Sequence, residues 1–200
     1  MKDNFKLWFC IMILSFISIF LIGLLVGKHC VKPIYVDLSE TNITLPKEYN
    51  KYQNIRMPDE IADYIIRLCK ELNINEELAV AILLNENPLF DANATNKNKN
   101  GTIDIGLYQL NDKYIWNTFV PRYWKIENVE FNPYNWKHNI FVALHHIQYL
   151  TKTLKVFEDI VAGYNCGENA VMNNKVPAST LQYIEKTKNN ILLIRSANGQ

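Results

Sequence analysis

The segment EELAVAILLNE, residues 76–86, constrains the fold most strongly because it is apolar on almost every side. A helix that is hydrophobic all round has to be enclosed by other elements of the fold. Asn75 precedes it, and its side chain can accept hydrogen bonds from the first helical N–H groups. We therefore predict a buried central helix that ends in the carboxylate of Glu86, just before the residues PLF.

Segments with helical spacing on both sides supply partners for this central helix. Residues 57–72 carry apolar side chains three and four positions apart, with Pro58 in the first turn and Asn73 at the end. Further along, residues 134–139 predict a turn and helix cap. After it we expect a long amphipathic helix, a short helix and a closing helix, from the segments FVALHHIQYLTKTLKVF, EDIVAGYNCG and PASTLQYIEKTKNNILLI.

An Asn-rich and Lys-rich loop, residues 91–104, interrupts the helical pattern. It contains Asn100-Gly101, a dipeptide typical of two-residue hairpin turns, followed directly by Thr102 and Ile103. We predict one small β-hairpin here and a short helix over residues 112–119. The fold class is therefore mainly α, with a minor β element.

The N-terminal segment from Leu7 to Gly27 has no charged residue and runs for about 21 residues, close to the roughly 20 that span a bilayer as a helix. A cleaved signal peptide is the competing interpretation, but its apolar region is usually about 7–15 residues and ends in small side chains. The sequence GKHC that follows fits neither that cleavage site nor a lipoprotein. We predict a cytoplasmic tail (1–6), a transmembrane anchor (7–27), a polar juxtamembrane linker (28–56) and a globular domain (57–195).

The net charge and the cysteine content give no support for nucleic-acid binding or for a metal site. The net charge of +1 gives no electrostatic case for nucleic-acid binding. No Cys or His spacing is typical of a metal site. Cys69 and Cys166 are the two cysteines of the globular part, and we interpret them as small apolar side chains. A disulfide between them stays open.

Four short motifs, in this order and spacing, resemble those of the SLT-type lytic transglycosylases. They are ENPLF (86–90), NGTIDIGLYQLN (100–111), AGYNCG (162–167) and PASTLQY (177–183). These lysozyme-like enzymes, related to goose-type lysozymes, cut the glycan of peptidoglycan. The resemblance implies a lysozyme-like α+β fold, peptidoglycan strands as substrate, and no metal or cofactor.

The resemblance also assigns roles residue by residue. Glu86 corresponds to the family's catalytic acid. The implied substrate-binding residues are Asn87, Gly106, Leu107, Tyr108, Gln109, Tyr164, Asn165 and Tyr183. Three positions depart from the family's pattern: Asn87 stands where Ser is common, Tyr108 where Met is frequent, and Cys166 where Ala is frequent.

The position of Glu86 suits an acid catalyst. A glycosidic oxygen needs a proton in the transition state, so the donor must hold its proton near neutral pH. An apolar pocket and the partial negative charge of a helix C-terminus both raise the pKa of a carboxyl group. We expect Glu86, followed by Leu89 and Phe90, to lie in such a pocket.

Because of Asp104, the sequence does not decide between transglycosylation and hydrolysis. We expect a structural role, in which it ties the hairpin through backbone N–H groups. If its carboxylate faced Glu86 across a water-sized gap, hydrolysis with inversion would follow instead. The sequence therefore predicts a lytic transglycosylase, with a hydrolytic muramidase or a non-catalytic glycan-binding or secretion-assembly module as alternatives. Because the glycan lies outside the inner membrane, the domain is expected to face the periplasm or cell wall, where a secretion machine is a possible partner.

Overall fold

The computed structural model describes residues 52–123 and 131–197. The predicted tail, the predicted anchor at 7–27 and most of the predicted linker lie outside these residues. In the described part, no helix combines the length and the apolar character that a bilayer span requires. The described residues form a mainly helical fold with a small antiparallel sheet, as the sequence predicts.

The elements of the described ranges follow one another in this order: a 3₁₀ turn (Gln53–Ile55), α1 (Asp59–Leu72), α2 (Glu76–Glu86), β1 (Thr95–Lys97), β2 (Ile103–Ile105), β3 (Leu110–Asn111), a π-helix (Asp112–Phe119), α3 (Val120–Tyr123), α4 (Trp136–Leu154), α5 (Phe157–Cys166), α6 (Glu168–Met172) and α7 (Ala178–Ala197).

Helix α2 is the centre of the fold. Every residue from Leu78 to Leu84 is buried, and α2 packs against α1 and most extensively against α7. Its start is fixed by Asn75, whose Oδ1 accepts a hydrogen bond from the Leu78 N–H at 2.8 Å. Burying one large aliphatic side chain contributes about 1.5–3 kcal/mol, so this helix organises the core around itself. The predicted central helix is confirmed.

Three element boundaries differ from the prediction, one of them the start of α4, which begins at Trp136 and not after the predicted turn and cap of residues 134–139. Tyr52 is buried and its hydroxyl donates to Glu76, so the packed domain includes a residue that we placed in the linker. Its polar neighbours hide it from a search for helical spacing. The predicted long helix does not continue to Phe157, because Lys155 adopts a left-handed φ of 65° and separates α4 from α5. The apolar Val156 and Phe157 mask this break in the sequence.

The sheet has three strands in the order β1-β2-β3, so the prediction of one hairpin was incomplete. The first hairpin turns at Gly101, which has a φ of 84°, as the dipeptide predicts. The second turns through residues 106–109 and pairs Asp104 with Asn111. Gly106 and Gln109 have φ values of 79° and 46°, and these left-handed conformations make the chain reverse.

Asn139 of α4 holds this second turn from behind. It is fully buried, its Nδ2 donates to the Ile105 carbonyl at 2.8 Å, and its Oδ1 accepts from the Tyr108 N–H at 2.9 Å. A Cβ atom on Gly106 would lie 2.4 Å from Asn139 Nδ2. Glycine is therefore required here by both its φ and its close approach to the amide.

We predict that Gly106→Ala destabilises the chain more than Gly101→Ala does. Both substitutions strain a left-handed residue, at a cost of about 1–2 kcal/mol. Only the Cβ at residue 106 has to displace Asn139, which adds about 1–3 kcal/mol for buried polar groups left without partners. Gly101 is the matched control because nothing lies within 4 Å of its added Cβ. Urea titration of the two purified variants measures the difference, and equal losses in the free energy of unfolding would contradict the Asn139 clamp.

Candidate active site

A cleft of about 760 Å³ opens beside the end of α2. Its walls come from the sheet, the π-helix, α3, α4, the end of α5 and α6. Five residues singled out from the sequence line it: Glu86, Asp104, Gln109, Tyr164 and Asn165. The other five lie behind the surface of the cleft, as described below.

Glu86 is fixed at the cleft by a hydrogen-bonded seam between α2 and α7. The Tyr183 hydroxyl donates to Glu86 Oε1 at 2.5 Å. One residue before Glu86, Asn85 Nδ2 donates to Thr187 Oγ1 at 2.6 Å, and Asn190 Nδ2 donates to Asn85 Oδ1 at 2.8 Å. These partly buried amide contacts favour one register of the two helices, in which the tyrosine hydroxyl meets the carboxylate.

The surroundings of Glu86 raise its pKa to about 7, chiefly because burial disfavours the charged carboxylate. The Tyr183 hydrogen bond lowers this pKa, the negative charge of Asp104 raises it, and the positive charge of Lys186 lowers it. Glu86 is still partly accessible, and its exposed surface lies in the cleft. A carboxyl group with this pKa can both donate and accept a proton near neutral pH.

The loop after Glu86 does not form the apolar pocket of Leu89 and Phe90 that we expected. Phe90 is buried with a φ of 56°, but Leu89 is 86 % exposed and contributes nothing to an apolar pocket. Asn87 is buried and closes the loop on itself. Its Nδ2 donates to the Asp91 carbonyl at 2.6 Å, and its Oδ1 accepts from the Asp91 N–H at 3.1 Å. The structure thus places Asn87 in the support of the Glu86 loop and not on the cleft surface.

The GLYQ turn presents only one side chain to the cleft. Leu107 and Tyr108 are fully buried, and the Tyr108 hydroxyl donates to the Ala79 carbonyl of α2 at 3.1 Å. Gly106 packs on the Asn139 amide. Gln109 lines the cleft, and its Nε2 donates to the Gly106 carbonyl at 2.8 Å. Three of the four predicted contact residues therefore shape the wall from behind.

Tyr164 and Asn165 join the end of α5 to the other walls. The Tyr164 hydroxyl donates to the Tyr108 carbonyl at 2.9 Å, which ties α5 to the second turn of the sheet. The exposed Asn165 accepts a hydrogen bond from Thr180 Oγ1 at 2.7 Å through its Oδ1. Both side chains therefore have a fixed position at the surface of the cleft.

Asp104 is held by side-chain amides, and not by the backbone N–H groups that we expected. Its Oδ2 accepts from Asn98 Nδ2 at 2.9 Å, and its Oδ1 accepts from Asn111 Nδ2 at 2.7 Å. It nevertheless lines the cleft, and its charge acts on Glu86. Asp104 therefore lines the cleft while the side-chain amides of Asn98 and Asn111 hold its carboxylate.

Two groups of residues at the site were not predicted from the sequence. One group is polar and holds the site residues in place: Asn85, Asn98, Asn111, Asn139, Thr187 and Asn190, of which Asn98 and Asn111 also line the cleft. A polar residue on the buried face of a helix, such as Asn139, is the signal that could have revealed it. The other group lines the cleft: Phe119, Arg122, Tyr123, His146, Tyr149 and Glu168. No motif marks this second group.

Cys69 and Cys166, the two cysteines of the described ranges, are not bonded to each other. Cys69 is buried in α1, as expected for a small apolar side chain. Cys166 is partly accessible and lines the cleft where α5 ends. The disulfide that the sequence left open is not formed.

Comparisons with known proteins agree with this geometry. The transglycosylase SLT domain family matches residues 63–186, which is more than half of the chain. No curated protein sequence matches it. Among solved structures, an inactive mutant of the lytic transglycosylase Slt from Pseudomonas aeruginosa superposes with a TM-score of 0.56 at 16 % identity.

That match covers 74 % of this chain and 26 % of the Pseudomonas enzyme, so the chain spans about a quarter of the length of that protein. At this identity the superposition shows a shared fold. The family match extends from α1 through the Glu86 loop and the GLYQ turn to the Tyr183 helix. On these grounds the chain belongs to the SLT-type lytic transglycosylase family.

Proposed function

We propose that this chain is a membrane-anchored peptidoglycan lytic transglycosylase that cuts the β-1,4 bond between N-acetylmuramic acid and N-acetylglucosamine. One observation carries the proposal: Glu86 lies at the surface of a cleft, has a pKa raised to about 7, and accepts a hydrogen bond from Tyr183. A single carboxyl group that exchanges protons near neutral pH is what this reaction requires.

In the proposed reaction Glu86 acts first as acid and then as base. Its carboxyl proton moves to the glycosidic oxygen as the bond from that oxygen to carbon one of the muramic sugar breaks. The substrate's own N-acetyl group supports the positive charge that develops at carbon one. The Glu86 carboxylate then takes the proton of the hydroxyl at carbon six, whose oxygen bonds to carbon one. The product is a 1,6-anhydro sugar, and no water is consumed.

The remaining site residues serve this reaction in two ways. Gln109, Tyr164 and Asn165 line the cleft and are the proposed saccharide contacts. The other predicted contacts lie beneath the surface of the cleft. Tyr183 orients Glu86 and lowers its pKa. Asn87, Gly106, Leu107 and Tyr108 stabilise the two loops that carry site residues. No metal or cofactor enters this scheme.

Hydrolysis is the second candidate, and Asp104 favours it. Its carboxylate lines the same cleft as Glu86 and is close enough to raise the pKa of Glu86. Inverting glycosidases place two carboxyl groups on either side of a water molecule. The amides of Asn98 and Asn111 hold Asp104 in position for such a role. Lytic transglycosylation remains our first proposal because it needs only Glu86.

We expect Glu86→Gln to abolish release of 1,6-anhydromuramyl products from purified sacculi, because the amide cannot donate the proton. General acid catalysis contributes about 10²–10⁴-fold, so the rate should fall by at least that factor. Mass spectrometry of the released muropeptides is the measurement. Glu185→Gln, on an exposed face of α7, is the matched control and should keep wild-type rates.

The products separate the competing functions. Reducing-end muramyl products, heavier by one water per cut, would replace our proposal with hydrolysis and give Asp104 a direct role. Binding of sacculi without any product, from wild type and variant alike, would favour the non-catalytic glycan-binding or secretion-assembly module.

The pH dependence of activity should shift in opposite directions in two variants. The acid has to be protonated, so kcat/KM is lost as pH rises through the pKa of Glu86, about 7. Tyr183→Phe removes a hydrogen bond that favours the carboxylate, which raises this pKa and moves the alkaline limb to higher pH. One such bond is worth about 1.5–3 kcal/mol, or roughly 10-fold to 150-fold in proton affinity. Asp104→Asn removes a negative charge and moves the limb to lower pH. If the alkaline limbs of the wild type and of both variants coincide, the group that titrates is not Glu86.

The proposed topology places residues 1–6 in the cytoplasm, the anchor at 7–27 and the catalytic domain on the outer face of the inner membrane. It is supported by the uncharged N-terminal segment and by the location of the proposed substrate. A protease added to intact spheroplasts should digest the domain, while a cytoplasmic marker protein stays whole. Protection of the residues beyond 30 would contradict this orientation.

A further inference from the structure

His146 of α4 is a titratable residue of the cleft that the proposed reaction does not use. Its side chain lines the cleft and is partly accessible. The imidazole ring packs on two aromatic neighbours, with its centroid 4.8 Å from that of Phe119 and 5.6 Å from that of Tyr164. These contacts fix the plane of the ring at the surface of the cleft.

The two ring nitrogens of His146 have different surroundings. Nδ1 is shielded from solvent and has no hydrogen-bond partner in the described ranges, whereas Nε2 is not shielded in this way. A proton on Nδ1 would be a buried N–H without an acceptor, which costs the full desolvation of that group. A neutral imidazole carries its proton on one nitrogen and leaves the other as an acceptor. The proton therefore belongs on Nε2, which is then an N–H donor at the cleft.

His145, one residue earlier, has a partner that His146 lacks. Its Nδ1 lies 2.8 Å from the carbonyl oxygen of Phe141, one turn earlier in the same helix. Among the described residues, His146 belongs to the lining of the cleft and His145 does not. The Nδ1 of His145 is thus bound within the fold, while His146 keeps a donor for a ligand in the cleft.

His146 is neutral at the pH at which Glu86 exchanges its proton. Burial lowers the pKa of His146 to about 4. An acceptor with a full negative charge, such as a phosphate, would favour the imidazolium form that burial disfavours. A neutral N–H instead suits an uncharged acceptor, such as a hydroxyl, ether or amide oxygen of a sugar strand.

Tyr164 connects this donor to the surroundings of Glu86. Burial is the main cause that raises the pKa of Tyr164, and the negative charge of Glu86 is the next. Tyr164 is therefore near Glu86, and its ring also packs on His146. Its hydroxyl donates to the Tyr108 carbonyl, which holds the ring in place. A strand that presents a glycosidic oxygen to Glu86 would thus also pass His146.

We infer that His146 is a glycan-binding residue, whose Nε2–H donates a hydrogen bond to an uncharged oxygen of the sugar strand in the cleft. The inference rests on the proposed function and deepens it by naming a contact outside the four motifs that carry the family resemblance. The bond is made in the bound strand before and during cleavage alike, so it contributes to KM and leaves kcat unchanged.

The test measures binding of a soluble, peptide-free oligosaccharide of alternating N-acetylglucosamine and N-acetylmuramic acid. The parent is the full-length protein in detergent with Glu86→Gln, so that the strand stays whole. Adding His146→Phe keeps an aromatic ring but removes the donor, and the affinity measured by calorimetry should fall about 2-fold to 10-fold. With Glu86 intact, KM on sacculi should rise by the same factor while kcat is unchanged.

Two further variants separate the hydrogen bond from support of the fold. Adding His146→Gln to the parent keeps a side-chain N–H donor at a similar reach and should restore part of the lost affinity. His145→Phe is the matched control, and it should bind the oligosaccharide as the parent does. An equal loss in His146→Phe and His146→Gln would overturn the inference, because it would indicate that the imidazole ring only supports the cleft.

Nitrogen NMR of protein labelled at histidine reads the tautomer without a substitution at the site. The His146 signals are those that disappear in the His146→Phe spectrum. We expect the proton on Nε2 in the free protein, and a shift of the Nε2 signal when the oligosaccharide is added. A proton on Nδ1, or an Nε2 signal that does not respond to the saturating ligand, would contradict the inference.

The outcome for His146 is distinct from the outcome for the proposed function. Weaker binding by His146→Phe supports the contact even if no form releases products, a result that would reject the transglycosylase. Equal binding by the parent and His146→Phe rejects the contact even if Glu86 cuts the strand to 1,6-anhydro products. An oligosaccharide that no form of the protein binds rejects the inference as well.

Discussion

The register between α2 and α7 is the constraint on which the rest of the site depends. Asn85, Thr187 and Asn190 join the two helices by side-chain hydrogen bonds in a largely apolar interface, where an unpaired amide would be costly. A slip of either helix would leave these groups without partners, so the packing has one favoured register. In that register the Tyr183 hydroxyl meets Glu86, and the pKa of the carboxyl group is set by the fold.

A second set of hydrogen bonds links the walls of the cleft to one another. Asn139 is hydrogen-bonded to the turn of the sheet that contains Gly106 and Tyr108. The Tyr108 carbonyl in turn accepts a hydrogen bond from the Tyr164 hydroxyl of α5. The Tyr108 hydroxyl reaches back to Ala79 of α2. The helix that ends in the acid, the sheet and the opposite wall are therefore linked through a few buried polar contacts. This explains why Gly106, Leu107 and Tyr108, which the resemblance assigns to substrate contacts, are buried.

Sequence patterns predicted the elements better than the positions of side chains. The buried α2, its Asn75 cap and the Gly101 turn follow from local chemistry that any short window shows. The strand β3 did not, because the turn before it depends on Asn139, far along the chain. The break at Lys155 did not either, because the apolar Val156 and Phe157 continue the helical pattern across it. Asp104 lines the cleft, but its amide partners Asn98 and Asn111 could be recognised only once the strands were paired.

The pKa of Glu86 depends on opposing contributions from its surroundings. Around Glu86 the charges oppose one another: burial and Asp104 raise the pKa of the carboxyl group, while Tyr183 and Lys186 lower it, and the balance near 7 lets one residue act as acid and base. A change at any of these groups moves the pKa away from 7, so the packing that places them also sets the pH range in which Glu86 exchanges its proton.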